Sequence, residues 1–240
     1  MSHRECFDPF SLGSATRNSP PSLRTLPFAR WLARRPAPPA SGWRCWPPFW
    51  AAGVRLPCRP RPRRPGRRAH PGTAEGGRLP GHGLSGVGRT LLSLRALNEA
   101  LFKEGVPLPL PGQSTTAAET RREAGTQAQV DIFGEGMADF WRSGPEESRH
   151  IDRWLAANCF GDYCTRTGSD LRQRELIAFR FLAAQGGCEP QPKSHIAATL
   201  RLGTGQRALT AAPSTTLPYI GYPRSLNALR CVNDAAQAAR

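Results

Sequence analysis

Leu91, Leu94, Leu97 and Leu101, with Phe102 beside the last, recur at helical steps and stop at Gly105. The stripe predicts a helix over roughly residues 89–104. After the proline-rich connector VPLPLPGQSTT, Val130, Phe133, Met137 and Phe140 repeat at steps of three and four. They predict a second helix within residues 117–141, weakened at Gly134 and Gly136 by about 1 kcal/mol each relative to alanine.

The segment SGPEESRHIDRWLAANCF carries start signals: Ser143 as N-cap, Pro145 in the first turn and Glu146 to close a capping box. Its expected buried stripe is Ile151, Trp154, Leu155 and Cys159. Asp170 and Gln173 form a second box, and DLRQRELIAFRFLAAQ then runs to the stop signal Gly186-Gly187. Pro190 and Pro192 suit a first helical turn, which predicts a helix from about Glu189 to Leu202 closed by Gly203. These two helices make an antiparallel hairpin. Strand alternation is almost absent, so the fold class is an all-α helical bundle. LRALNEA at Leu94–Ala100 and LRCVNDA at Leu229–Ala235 also suggest the end of one helix repeated twice. The rest of a first repeat ought to precede residue 90, and it is not recognisable there.

Composition divides the chain. Residues 1–89 hold 16 of the 31 arginines and 15 of the 24 prolines, for a net charge of +13, whereas residues 90–240 carry +2. Such a segment buries too little apolar area to offset the entropy of ordering, and a disordered basic N-terminal leader is expected over residues 1–89. The run RPRPRRPGRR at Arg59–Arg68 could hold phosphate backbones, but only non-specifically and with strong salt dependence. The leader is arginine-rich and acid-poor like a transit peptide, yet its proline density argues against the amphipathic helix such peptides form. Seven scattered cysteines do not make a disulfide framework and suggest reduced thiols in the cytoplasm. No apolar run approaches the roughly 18 residues that span a bilayer. GLSGVGR at Gly83–Arg89 has glycines but no strand before it, and no Cys/His cluster has ligand spacing. No metal or organic cofactor is implied.

RQRELIAFRFLAAQGGCEPQPKSHIAATLRLG followed by LPYIGYPRSLNAL resembles the carboxymuconolactone decarboxylase family, of the alkylhydroperoxidase-like superfamily. The likeness rests on Arg172, Arg174, Glu175 and Leu176, then Gly186, Gly187, Gln191, His195 and Gly203, then Tyr219, Gly221, Pro223, Arg224, Asn227 and Ala228. NCFGDYCTRTGSDLR resembles a further family segment, and coverage is roughly residues 120–238. The resemblance implies a family-type bundle over residues 117–240, with residues 90–116 as a bridging helix and linker. It also implies a homo-oligomer, a trimer or hexamer, for which the tryptophan-bearing helix could supply apolar surface. One departure stands out: TGQRALTAAPSTT carries Pro213 where the family has an amphipathic helix. A mid-helix proline costs roughly 3 kcal/mol, so looser packing around His195 is expected.

The family's reaction removes CO2 from a lactone bearing two carboxylates, which calls for a cationic anchor, an oxyanion stabiliser and a general acid. His195 is the natural general acid, since imidazole titrates nearest neutral pH. Glu175 could orient it, Arg172, Arg174 or Arg224 could hold a substrate carboxylate bidentately, and Tyr219 is a further substrate-side candidate. Glu175 lies about ten residues before the turn and His195 about eight after it. At 1.5 Å per residue the two are expected at different heights, meeting only across a subunit interface or through substrate. Two alternatives stand beside this reading. Cys188, at a turn beside a helix start, could serve a thiol-dependent peroxidase. Cys159 and Cys164, five apart, fall about 140° from each other on an α-helix and do not look like a pair. The arginine-rich arm could instead belong to a non-catalytic binding protein.

Overall fold

The computed structural model describes residues 79–238, so the expectations for residues 1–78, including the Arg59–Arg68 cluster, lie outside the described residues. α1 (Leu79–Ser85) and α2 (Val87–Lys103) meet at Gly86, whose φ of 77° suits glycine. Residues 79–89, assigned to the disordered leader, are therefore largely helical, and GLSGVGR is the bend between two helices. α2 ends just before Gly105, as its leucine stripe predicts, but Leu91 and Phe102 face solvent. Its buried face is Thr90, Ser93 and Leu97.

α3 (Arg121–Phe133) is shorter than the predicted 117–141, because Gly134 leaves the helix at φ 102°. Two single 3₁₀ turns follow, Glu135–Met137 and Phe140–Arg142. The buried positions of α3 are Gly125, Ala128, Gln129 and Ile132, with Val130, Phe133, Met137 and Phe140 only partly covered. α4 (Arg149–Trp154) starts after the predicted Ser143 cap, because the Ser143 hydroxyl donates back to the Phe140 carbonyl at 2.8 Å and closes the preceding turn instead.

α4 runs directly into a π-helix, Leu155–Cys164, whose wider turn moves the buried face to Ala156, Phe160 and Gly161. Ile151 and Trp154, expected inside, are exposed. α3 crosses this π-helix at backbone contact. A Cβ on Gly125 would lie 1.9 Å from the Ala156 carbonyl oxygen, and one on Gly161 would lie 2.0 Å from that of Arg121.

α5 (Leu171–Gln185) opens with the predicted capping box, Asp170 accepting from the Gln173 amide and the Gln173 side chain accepting from that of Asp170. It stops at Gly186 (φ 67°) and Gly187 (φ 70°), and α6 (Pro190–Arg201) returns beside it to Gly203 (φ 83°). α7 (Gln206–Ala238) completes the bundle, kinked at Gly221 (φ 76°, ψ 171°).

The Pro213 segment, expected to pack loosely, is the first half of α7, with Leu209, Ala212, Pro213 and Thr216 buried. Side-chain hydroxyls along this half bond back onto the helix: Ser214 donates to the Thr210 carbonyl, Thr215 to Ala212 and Thr216 to Pro213, at 2.9–3.1 Å. The core of α5, α6 and α7 gathers Phe179, Ile196, Leu209 and Val232. A second cluster sets Ala128, Ile132 and Phe160 against Ala198. All described regular structure is helical, as the sequence predicts, and none of these helices is long and apolar enough to cross a membrane.

Candidate functional site

Glu175 lies in the second turn of α5 and His195 in the second turn of α6. Their side chains meet within one chain: His195 Nδ1 lies 2.6 Å from Glu175 Oε2. The expectation of contact only across a subunit interface or through substrate is thus corrected. The loop Gly186–Glu189 and the length of the two side chains absorb the difference in height. The glutamate side chain is 2 % exposed and the histidine 12 %. An ionised carboxylate can only accept, so Nδ1 carries the proton and donates to Glu175. Nε2 is left for another partner, since no described residue bonds it.

Three neighbours fix this arrangement. Phe133, the last residue of α3, packs edge-on against the imidazole with ring centres 5.2 Å apart. Phe133 is in turn edge-on to Phe160 of the π-helix. Arg201, at the end of α6, donates to the carbonyls of Ile132 and Phe133 and so holds the end of α3 over His195. The Thr199 hydroxyl donates to the His195 carbonyl at 2.6 Å.

Sequence reasoning missed Gln129. It is fully buried one turn before Phe133 on the same helix, and neither its amide nitrogen nor its amide oxygen has a hydrogen-bond partner. A buried primary amide left open in this way costs roughly 1–3 kcal/mol. Its signal in the sequence is a polar residue four before Phe133, on the apolar face of the predicted helix.

The arginines divide by role. Arg174, 2 % exposed, directs its guanidinium at the carbonyls of Tyr163, Arg166, Thr167 and Ser169, tying down the end of the π-helix and the link that follows. It is a scaffold residue in this structure and has no free edge to offer a substrate carboxylate. Arg172 donates to the Gly203 carbonyl at 2.7 Å, joining the start of α5 to the end of α6. Arg224 is exposed and lies over Gly186, where a Cβ would come within 3.3 Å of its Nε. It lines a shallow depression with Cys188, Glu189, Asn227 and Cys231, a place that does not include His195. The buried acid–base pair lies outside this depression. Tyr219 packs on the Phe181, Ala184 and Ile220 cluster.

The thiols are held protonated. Burial raises Cys188 above the usual thiol range, and the neighbouring Glu189 carboxylate adds to this. Its Sγ faces the Leu182 carbonyl at 3.7 Å. The π-helix corrects the expected 140° separation of Cys159 and Cys164, because residues five apart then follow one another along one face. Both line the cluster around Phe160. Burial pushes Cys159 up to about 11 and Cys164 well above its ordinary value, with the Glu175 carboxylate acting in the same direction on both.

Among known proteins, residues 150–234 match the carboxymuconolactone decarboxylase family, in agreement with the resemblance read from the α5–α6 hairpin and the Gly221 segment. No curated protein matches the chain.

Proposed function

With residues 150–234 matching the carboxymuconolactone decarboxylase family, we propose that this chain is a decarboxylase that removes CO2 from a carboxylated lactone without an organic or metal cofactor. The observation that carries the reading is the 2.6 Å contact between His195 Nδ1 and Glu175 Oε2 in a nearly closed interior. With both ring nitrogens protonated, Nδ1 donates to Glu175 and Nε2–H, which bonds no described residue, is the proton available for transfer. The buried carboxylate accepts from Nδ1–H and fixes the plane of the ring.

In the proposed step the C–C bond to the substrate carboxylate breaks and CO2 leaves. Its electron pair runs through the ring alkene onto the lactone oxygen, giving a dienolate. His195 Nε2 then delivers its proton to carbon and becomes neutral with Nδ1–H still on Glu175, and water restores the lost proton. The unpartnered neutral amide of Gln129, one turn before the Phe133 that packs on His195, is the donor proposed for the developing oxyanion. Arg172 and Arg224 are both exposed, and we assign the anchoring of the second carboxylate to Arg224, from the depression beside Gly186.

The reading includes a homo-oligomer, for which Ile151 and Trp154 offer exposed apolar surface. It also includes a reducing cytoplasm, supported by free thiols at Cys159, Cys164, Cys188 and Cys231. The peroxidase alternative is weaker, because the thiols beside the site are pushed toward their protonated forms.

The test is ultraviolet-monitored turnover of carboxymuconolactone by the full chain beside His195→Ala and Cys188→Ser. Loss of turnover in the histidine variant alone supports the reading. A folded wild type that leaves the lactone untouched and reduces peroxide through Cys188 overturns it.

A further inference from the structure

The sequence from Leu84 to Ala100 aligns without a gap on Tyr219 to Ala235. Gly86 matches Gly221, Arg89 matches Arg224, Leu91 matches Leu226, and Leu94-Arg95 matches Leu229-Arg230; Asn98 and Ala100 match Asn233 and Ala235. Seven residues of likeness alone could be chance. The backbone removes that explanation. Gly86 has φ 77° and ψ 163°, and Gly221 has φ 76° and ψ 171°. Four residues on, the Thr90 hydroxyl donates to the Gly86 carbonyl at 2.9 Å, and the Ser225 hydroxyl donates to the Gly221 carbonyl at 2.8 Å.

Burial follows the same register. Thr90, Ser93 and Leu97 are buried, as are their counterparts Ser225, Ala228 and Val232. Val87 and Leu91 are exposed, as are Tyr222 and Leu226. Two unrelated amphipathic helices share a period, but they do not share a left-handed glycine, a hydroxyl bond back to it and the same inside and outside positions.

The first copy is docked. Leu84 packs against the Phe181, Ala184 and Ile220 cluster of the second copy's domain, the same cluster that carries Tyr219, its own counterpart in the alignment. Gly83 lies against Cys159 so closely that a Cβ there would sit 2.8 Å from Sγ. His82 Nδ1 lies 3.1 Å from the Tyr163 hydroxyl. Equivalent residues of two copies sharing one apolar cluster is what an isologous, two-fold contact produces.

We propose that α1–α2 is a second copy of the kinked half of α7, and that α1 occupies on α5 and the π-helix the seat of a partner domain of this same fold. The partner that fits this face is a second copy of the fold, and in this chain the seat is filled in cis. The pre-kink part of α7, around Pro218 and Tyr219, is the matching element that one copy would place on another.

Disulfide trapping in the full chain tests both halves. Gly83→Cys places its Cβ about 3.4 Å from that of Cys159, near the short limit for a disulfide. Mild oxidation should therefore join residues 83 and 159 within one chain, as read by peptide mass mapping, and Cys159→Ser should abolish the product. Pro218→Cys, at the position equivalent to Gly83, should give no interchain product while α1 is seated. Combined with Leu84→Asp, or with the milder Leu84→Ala should the aspartate variant lose its helical circular dichroism, it should give an interchain disulfide to Cys159 and a dimer by light scattering. No cis product from Gly83→Cys overturns the docked seat. A helical, released variant that stays monomeric and uncrosslinked overturns the second-copy partner, and an interchain product with α1 intact overturns the filling in cis.

Discussion

His195 Nδ1 and Glu175 Oε2 stand 2.6 Å apart between α5 and α6, the one place in the hairpin where a carboxylate and an imidazole share a buried contact. Glu175→Gln keeps an acceptor for Nδ1–H but removes the carboxylate charge beside the ring. Lactone turnover should fall about 10²–10⁴-fold with KM little changed, the range typical of lost acid–base assistance. Glu175→Ala should also destabilise the fold by roughly 1–3 kcal/mol, because Nδ1–H is left without an acceptor. Steady-state kinetics and urea midpoints of the two variants separate catalysis from packing. Equal turnover in Glu175→Gln and wild type would remove the carboxylate from the mechanism.

Arg174 makes a contrasting prediction. Its guanidinium satisfies four carbonyls between Tyr163 and Ser169 from a buried position. Arg174→Met leaves several of them without a donor, at about 1–3 kcal/mol each before relaxation. A loss of at least about 3 kcal/mol is expected in denaturant titration. Arg224→Met, on the exposed side of Gly186, should leave stability within about 0.5 kcal/mol and raise KM. A rise in KM for Arg174→Met with unchanged stability would return that residue to the substrate.

Much of this was legible in the sequence, for identifiable reasons. The Asp170–Gln173 box, the Gly186-Gly187 stop and the prolines opening α6 are local signals, and the structure obeys them. Ser143 carried the same kind of signal and failed, because its hydroxyl had a nearer acceptor in the Phe140 carbonyl. The π-helix was not legible, since apolar spacing was read with an α-helical period and the wider turn exchanged Ile151 and Trp154 for Ala156 and Gly161 as the inner face. Arg174, Glu175 and Arg172 share one short motif in the chain. Their division into scaffold, site and helix tie depends on which way each points, and spacing alone does not carry that.

Gln129 offers a test in which stability and activity move in opposite directions. Its side chain is buried with both amide atoms unpartnered, so Gln129→Leu should stabilise the fold by about 1 kcal/mol or more. If the amide donates to the dienolate, the same variant should lose about 10²–10³-fold in kcat, the range measured for lost oxyanion donors. Thermal midpoints and kcat measured on one preparation decide it. A stabilised variant with full activity would make Gln129 a packing residue only.

The crossing of α3 over the π-helix rests on two glycines. A methyl group at Gly125 or Gly161 would meet backbone oxygen at 1.9 or 2.0 Å, and backbone cannot rotate away as a side chain can. Each Gly→Ala change should force the helices apart, costing several kcal/mol against the roughly 1–3 expected for ordinary overpacking. Because Phe133 rides on α3, the shift should also reach His195. Gly136→Ala, at a glycine with open space around it, serves as the control and should be within about 0.5 kcal/mol of wild type. Similar midpoints for all three variants would contradict the close crossing.

Cys159 links stability to alkaline pH. Burial, reinforced by the Glu175 carboxylate, raises its folded pKa to about 11 from the ordinary 9.0. Below pH 9 native and unfolded chains both hold this proton, and its contribution to stability is fully present. Between pH 9 and 11 the unfolded chain releases the proton while the native chain keeps it, so the unfolded state gains and stability falls as pH rises. Each unit of separation is worth about 1.4 kcal/mol, and partial solvent access to the thiol reduces the two-unit total to roughly 1–3 kcal/mol by pH 11. Cys164 acts in the same direction. Denaturant midpoints of wild type and Cys159→Ala at half-unit steps from pH 8 to 11 isolate the term, since lysine and tyrosine titrations are common to both. The variant should start lower, by about 1 kcal/mol for the lost packing, and decline less steeply, so that the two curves converge toward pH 11. Parallel curves would mean that the thiol ionises as freely in the native protein as in the unfolded chain, and α1 would then not be sealing it.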